Sequence, residues 1–153
     1  MREKRAAWAA CFVWMGVIFA MSAMPGEVSG AQSGSITEIV MEVVEAITGE
    51  HANGMVRHSV EFFVRKGAHM AEFAVLHLLY RCALKLSGAK HAGVKALLLC
   101  AGYAATDEFH QIFVEGRGPA VTDVMIDTAG AAIGWCAGWI WDFIRQKNSR
   151  ECR

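Results

Sequence analysis

Segments with no polar face most constrain how this chain can fold. Ala6 to Met24 is apolar almost throughout, rich in Trp, Phe, Val and Met, and it stops at Pro25-Gly26. A helix that packs on a soluble core shows a polar and an apolar face, whereas one that is apolar all round belongs in a large core or in lipid. About 20 such residues cross a hydrocarbon core roughly 30 Å thick. Segments of comparable length recur at about 62–86, 94–114 and 121–144, and the whole chain holds only 2 prolines. At 153 residues it is long enough for a single domain. The sequence therefore predicts an all-α fold, a four-transmembrane-helix bundle occupying residues 1–153. The basic leader Arg2, Lys4, Arg5 before the first run also fits a secretory signal peptide. The cleavage site at Ala20-Met-Ser-Ala23 lacks a small residue three positions upstream, so a retained first span is favoured.

Between the first two spans, Val28 to Ser35 is rich in Ser, Gly and Ala and reads as a linker. About 36–47 then reads as an amphipathic helix. Ile36, Ile39, Val40, Val43, Val44 and Ile47 recur at helical spacing, and Glu38, Glu42 and Glu45 fall on the other face. Ser35 and Glu38 make a capping box. This helix is too polar to span and is expected to lie on the membrane surface or to cover the bundle. Thr48 to Asn53 reads as a turn, and Glu115 to Pro119 is a strong turn signal.

Charge excludes some classes and sets an orientation. Fifteen basic and fifteen acidic side chains leave no net charge, hence no basic field for nucleic acid. With both termini inside, eleven of the Lys and Arg residues fall on the cytoplasmic side and four on the outer side. The positive-inside bias thus predicts a multi-pass protein of the bacterial cytoplasmic membrane with cytoplasmic N- and C-termini. The five cysteines form no CxxC pair, and three lie in apolar runs. They read as small packing residues, with no disulfide framework and no thiolate metal site.

Against this apolar background the ionisable residues stand out. Each charged group at membrane depth costs roughly 2.5–3.5 kcal/mol on insertion scales, so such groups face a bundle interior or a wet cavity. Residues at i, i+3, i+4 and i+7 share a helix face. Arg65, His69 and Glu72 do so on the second span, with Lys66 beside them. On the third span Asp107, His110 and Gln111 do the same, with Glu108 adjacent; Asp123 and Asp127 continue on the fourth as Gly130, Gly134 and Gly138. A glycine seam lets a neighbouring backbone approach closely and turns both acids inward. Glu72 lies eight residues below Val64, roughly 12 Å down at 1.5 Å per residue. With Arg117 at the rim, these residues are predicted to form one outward-opening polar layer.

A plainer reading is that these groups neutralise one another, Arg65 or Arg117 with Asp123 and Lys66 with Asp107. Polar glue between membrane helices is worth about 1 kcal/mol per contact, and eleven such residues exceed what a small bundle needs. Arg65, Lys66 and Arg117 suit a phosphate or carboxylate. His69, Glu72, Asp107, Glu108 and His110 are the candidate acids, bases or catalytic residues. The i,i+3 pairs His69/Glu72 and Asp107/His110 could each reach one ion, but that spacing is common on helices. No HExxH, GxSxG or P-loop appears, and no metal or cofactor is assigned. His77, mid-span, is expected to make an interhelix contact, and Trp135, Trp139 and Trp141 to form an aromatic belt.

Arg65-Lys-Gly-Ala-His69-Met-Ala-Glu-Phe73, Thr106-Asp-Glu-Phe-His-Gln-Ile-Phe-Val-Glu-Gly-Arg117 and Asp123-Val-Met-Ile-Asp127-Thr-Ala-Gly130 together closely resemble the VanZ-like family of bacterial membrane proteins. Phe19-Ala-Met-Ser22-Ala-Met-Pro25 is similar to the Ser/Pro end of that family's first span. Glu115 departs from the pattern, since many members carry proline before the Gly-Arg pair. The resemblance implies a four-helix integral membrane protein of the cell envelope. The namesake is associated with low-level resistance to teicoplanin, a lipid-tailed glycopeptide antibiotic. Two functional readings follow. One is an outward-facing pocket, lined by the eleven residues named above, for an anionic lipid, a lipid-linked precursor or a lipoglycopeptide. The other is an intramembrane hydrolase or transferase acting on a phosphorylated lipid, with His110 or Glu108 as base and Arg65 and Arg117 stabilising charge. A transporter is disfavoured because the inner half of the bundle lacks ionisable residues apart from His77. Self-association is left open.

Overall fold

In the computed structural model the chain is all-helical, with no strand among the described residues. The structure describes residues 1–49, 54–116, 118 and 120–151, the side chains of 26–33, 35, 48 and 149–151 excepted. Five helices follow one another: α1 Arg2–Ser22, α2 Gly26–Thr48, α3 Gly54–Leu86, α4 Ala92–Gln111 and α5 Val121–Glu151.

Helices α1, α3, α4 and α5 correspond to the four apolar segments, with shifted ends. α1 ends where the Ala23 N–H bonds to Met21 O and Phe19 O, just ahead of Pro25. α3 begins eight residues earlier than expected, at Gly54, and runs for 33 residues, roughly 50 Å. It closes with the Ser87, Gly88 and Ala89 N–H groups bonded to the carbonyls of its last turn, and Gly88 has φ 75°, the left-handed conformation that glycine supplies at a helix C-terminus. α4 stops at Gln111, short of 114, in successive tight turns. α5 continues past 144 to Glu151.

The linker expected at 28–35 is instead part of α2, and Ser35 lies inside that helix, so it is not an N-cap. Pro25 takes the N-cap position with φ −52° and ψ 148°. Once the Ile36–Ile47 turns have nucleated, each further residue adds a backbone hydrogen bond, which offsets the roughly 1 kcal/mol penalty of a glycine. Thr37 and Met41 are buried, while Ile36, Ile39, Val43 and Ile47 are exposed alongside Glu38 and Glu42. α2 packs on α3, joined by an Arg57–Glu38 ion pair at 3.4 Å. Of the expected turn at 48–53, Thr48 is helical and Gly49 caps α2, and the remainder lies outside the described residues.

α3 is the hub and touches all four other helices. Ile18, Phe73, Leu76, Tyr80, Cys100, Ala104 and Ala131 form the core. Small residues let the helices close. A Cβ at Gly130 or Gly134 would collide with the backbone of Met70 or Ala74, so α5 lies directly against α3. Polar links cross the core as well. Tyr103 Oη donates to Met15 O at 2.6 Å, Trp14 Nε1 to Glu72 O at 3.0 Å, and His77 Nε2 lies 3.1 Å from Gly93 O, the interhelix contact expected of it.

The exterior is apolar at mid-helix, with Phe12, Val13, Leu98, Ile133, Trp139 and Ile140 all exposed, as a lipid-facing surface requires. Among the described residues only α1 is by itself long and apolar enough to cross a membrane.

Candidate functional site

The C-terminal end of α1, the Arg65–Glu72 portion of α3, the last turn of α4 and the first turns of α5 meet at one end of the bundle. Antiparallel neighbours linked by short connections bring these positions to one level.

Asp107 is the centre of this end, with only 2% of its surface exposed. Its Oδ2 accepts a hydrogen bond from Ser22 Oγ at 2.7 Å and one from Gln111 Nε2 at 3.3 Å. Ser22 is itself fully buried on α1. The other carboxylate oxygen, Oδ1, is shielded from solvent and has no hydrogen-bond partner among the described residues.

Glu108 is also buried, and its Oε1 accepts the Ala120 N–H at 2.7 Å. Ala120 immediately precedes α5, where backbone N–H groups lack intrahelical acceptors and the helix dipole is positive. The Glu108 carboxylate therefore caps a helix from a distance in sequence. That engagement argues for a structural role over that of a general base.

Lys66 Nζ pairs with Asp123 Oδ2, joining α3 to α5. Lys66 thus pairs with Asp123 rather than with Asp107 as the sequence suggested; the pairing suggested between Arg117 and Asp123 lies outside the described residues. Asp127, one turn deeper on α5 and 4% exposed, lies within electrostatic reach of Asp107, Asp123, Glu108 and Lys66. His69 Nδ1 faces Glu72 Oε2 at 3.7 Å along α3. The His110 ring packs on Phe19 with centroids 4.2 Å apart, and its Nδ1 is buried with no hydrogen-bond partner among the described residues. Arg65 Nε is in the same condition. Arg117 lies outside the described residues.

Buried polar atoms are ordinarily hydrogen-bonded, and an unpaired one costs about 1–3 kcal/mol. Among the described residues, Asp107 Oδ1, His110 Nδ1 and Arg65 Nε are therefore three places where a ligand or water can gain a bond without displacing one. Among the described residues no cluster of three His, Cys, Asp or Glu could hold a metal ion.

A family model described as VanZ/LLP1 matches residues 7–143, nearly the whole chain. The chain belongs to the VanZ/LLP1 family. It is thus a VanZ-like membrane protein, in keeping with a first helix long and apolar enough to cross a bilayer. The match takes in all the polar residues just described. No curated protein and no solved structure matches this VanZ-like chain.

Sequence reasoning passed over Ser22 as a site residue, although it had marked the Ser/Pro end of α1. A lone serine near a helix end gives no signal of its own until α4 is laid against it. Thr37, fully buried on α2 with a hydroxyl that no described residue bonds, was hidden by the apolar pattern around it.

Proposed function

We propose that this VanZ-like protein crosses the bacterial cytoplasmic membrane four times, with both termini cytoplasmic. Its polar end opens outward and binds the headgroup of a lipid-anchored anionic molecule. The observation that carries the reading is the mixed chemistry of the buried atoms that have no hydrogen-bond partner among the described residues. Arg65 supplies a guanidinium N–H suited to phosphate or carboxylate. Asp107 Oδ1 accepts from a hydroxyl, amide or amine, and His110 Nδ1 sits one helical turn further along α4. A headgroup with an anionic centre beside hydrogen-bond donors matches that set. Anionic lipids, lipid-linked sugar or peptide precursors and lipid-tailed glycopeptides all have this character.

The flank of the site favours a lipid-attached ligand over a free one. Phe62 and Phe63 on α3, and Phe109, Ile112 and Phe113 at the end of α4, are exposed at the same level. An acyl or isoprenoid chain entering from the bilayer would run along them.

Expression in a susceptible bacterium should raise the inhibitory concentration of teicoplanin, and Asp107→Asn and Arg65→Gln should abolish that rise while the protein remains in the membrane. Full protection by both variants would reject the pocket. The alternative, an intramembrane hydrolase or transferase, keeps His110 as its base because Glu108 is held by the α5 N-terminus. Its distinguishing result is turnover of a phosphorylated lipid by purified protein, lost in His110→Ala.

A further inference from the structure

The opposite end of the bundle carries a second arrangement of charge. Arg81 and Lys85, one helical turn apart on α3, both reach Asp142 Oδ2 on α5. Two cations sharing one carboxylate leave a positive charge uncompensated. Lys85 is about half exposed, so the fold does not depend on it; a pair that open to its surroundings contributes little stability.

The local backbone makes room for this charge. Gly138 lies one turn before Asp142, and a Cβ there would fall 3.0 Å from Arg81 Cζ and 3.3 Å from its Cδ. The missing side chain is what seats the guanidinium between the helices. Around it is a cleft of about 560 Å³, with Leu78, Leu86 and the ring of Trp141 as apolar walls. That volume is within the roughly 300–1,000 Å³ of small-molecule sites. The exposed Trp141 ring is of the type that settles at headgroup level.

A second observation gives this end the same character. Lys4 and Arg5 of α1 line another cleft, of about 500 Å³, together with Trp8 and Phe12. Trp8 Nε1 donates to Ser87 Oγ at 3.2 Å, which sets that cleft level with the end of α3. Cations beside aromatic and aliphatic walls, repeated around one rim, match a lipid phosphate whose chains continue into the bilayer. A freely diffusing anion would have no use for the apolar walls.

We propose that the α3–α5 cleft binds the phosphodiester headgroup of an anionic phospholipid, with Arg81 and Lys85 as its cationic contacts. The inference rests on the reading that α3 and α5 cross the membrane. It concerns a site separate from the polar end and places that lipid in the cytoplasmic leaflet.

The test is native mass spectrometry of the full chain in a nonionic detergent with equal amounts of phosphatidylglycerol and phosphatidylcholine. The wild type should retain phosphatidylglycerol preferentially. Lys85→Gln should lower that preference about fivefold, as expected for one cation at a lipid surface. Gly138→Ala should lower it too by displacing Arg81, and Lys90→Gln, outside the cleft, should leave it unchanged. The proposal is overturned if Lys85→Gln and Arg81→Gln both keep the wild-type preference. It is also overturned if millimolar inorganic phosphate displaces the lipid, which would mark a free-anion site. A chain that stays monodisperse once detergent is removed would defeat the membrane-spanning reading itself. A detergent-dependent chain with no lipid preference would defeat the lipid site alone.

Discussion

Gly130→Ala would force apart the two helices that carry most of the polar end. A Cβ at residue 130 would lie 2.6 Å from Met70 Cα and 2.8 Å from its carbonyl carbon. Carbon atoms meet without repulsion at about 3.5–4.0 Å, so α5 and α3 would have to separate by about 1 Å. The obstructing atoms are backbone, and no rotamer change relieves them. Overpacking of this kind costs about 1–3 kcal/mol, and the better helix propensity of alanine returns at most about 1 kcal/mol. The seam supplies its own graded controls. At Gly134 the comparable carbon distances to Ala74 are 3.0 and 3.1 Å, a milder clash. At Gly138 the added methyl meets the Arg81 side chain, which can swing aside, and at Gly102 there is no atom within 4 Å. Stability should therefore fall in the order Gly102→Ala, Gly138→Ala, Gly134→Ala, Gly130→Ala. Thermal unfolding in detergent, followed by circular dichroism, measures it. Equal stability of Gly130→Ala and Gly102→Ala would refute the close α3–α5 packing, and with it the placement of Lys66 against Asp123.

Three further outcomes are expected. Ser22→Ala removes the buried donor to Asp107 Oδ2 and should destabilise the protein by about 1.5–3 kcal/mol, the range for a hydrogen bond to a charged group; a loss below about 0.5 kcal/mol would show that Asp107 does not depend on α1. Glu108→Leu deletes the cap on α5 and should cost about 0.5–2 kcal/mol, whereas Glu108→Gln retains an acceptor oxygen and should lose less, and equal damage from both would assign the charge another role. In a chain with its native cysteines replaced, a membrane-impermeant maleimide applied to intact cells should label Glu115→Cys and spare Lys90→Cys, and the reverse pattern would invert the proposed orientation.

The sequence located the apolar helices well, because long runs such as Ala6–Met24 have few alternatives once every backbone group must be hydrogen-bonded. Their ends were less legible. The start of α3 at Gly54 and the extension of α2 back to Gly26 both lie where weak helix formers are carried along by a stronger neighbouring segment. The orientation of α2 was not legible: its pattern suited either the membrane surface or a cover over the bundle, and Thr37 and Met41 face inward while Ile36, Ile39, Val43 and Ile47 face out. In a lipid setting an exposed isoleucine carries no penalty, so hydrophobicity no longer tells inside from outside. Glycine remains informative there because it reports backbone proximity, and Gly130 and Gly134 do lie against α3. Partner choice among the charges was not legible. The sequence suggested Asp107 for Lys66, and only the register of α3 against α5 selects Asp123.

That register also divides labour among residues that look alike in sequence. Asp107 and Glu108 are consecutive acids and both are buried, but they point to different neighbours. Glu108 meets the Ala120 N–H and holds the entry to α5, and Asp123 meets Lys66 and holds α5 to α3. Each is consumed by the fold. Asp107 is only half consumed among the described residues, with Oδ2 tied to Ser22 and Gln111 and Oδ1 bonded to none of them. A carboxylate anchored through one oxygen has a defined orientation for the other, which is how a binding group is held ready without being satisfied. In the proposed reading, structural glue and binding site are successive uses of one cluster: Glu108 and Asp123 assemble three helices, and the assembly fixes Asp107 Oδ1 beside His110. On the proposed reading a ligand donates to that oxygen, which no described residue bonds, and substitutions at Glu108 or Asp123 should weaken its binding only through the fold that positions Asp107.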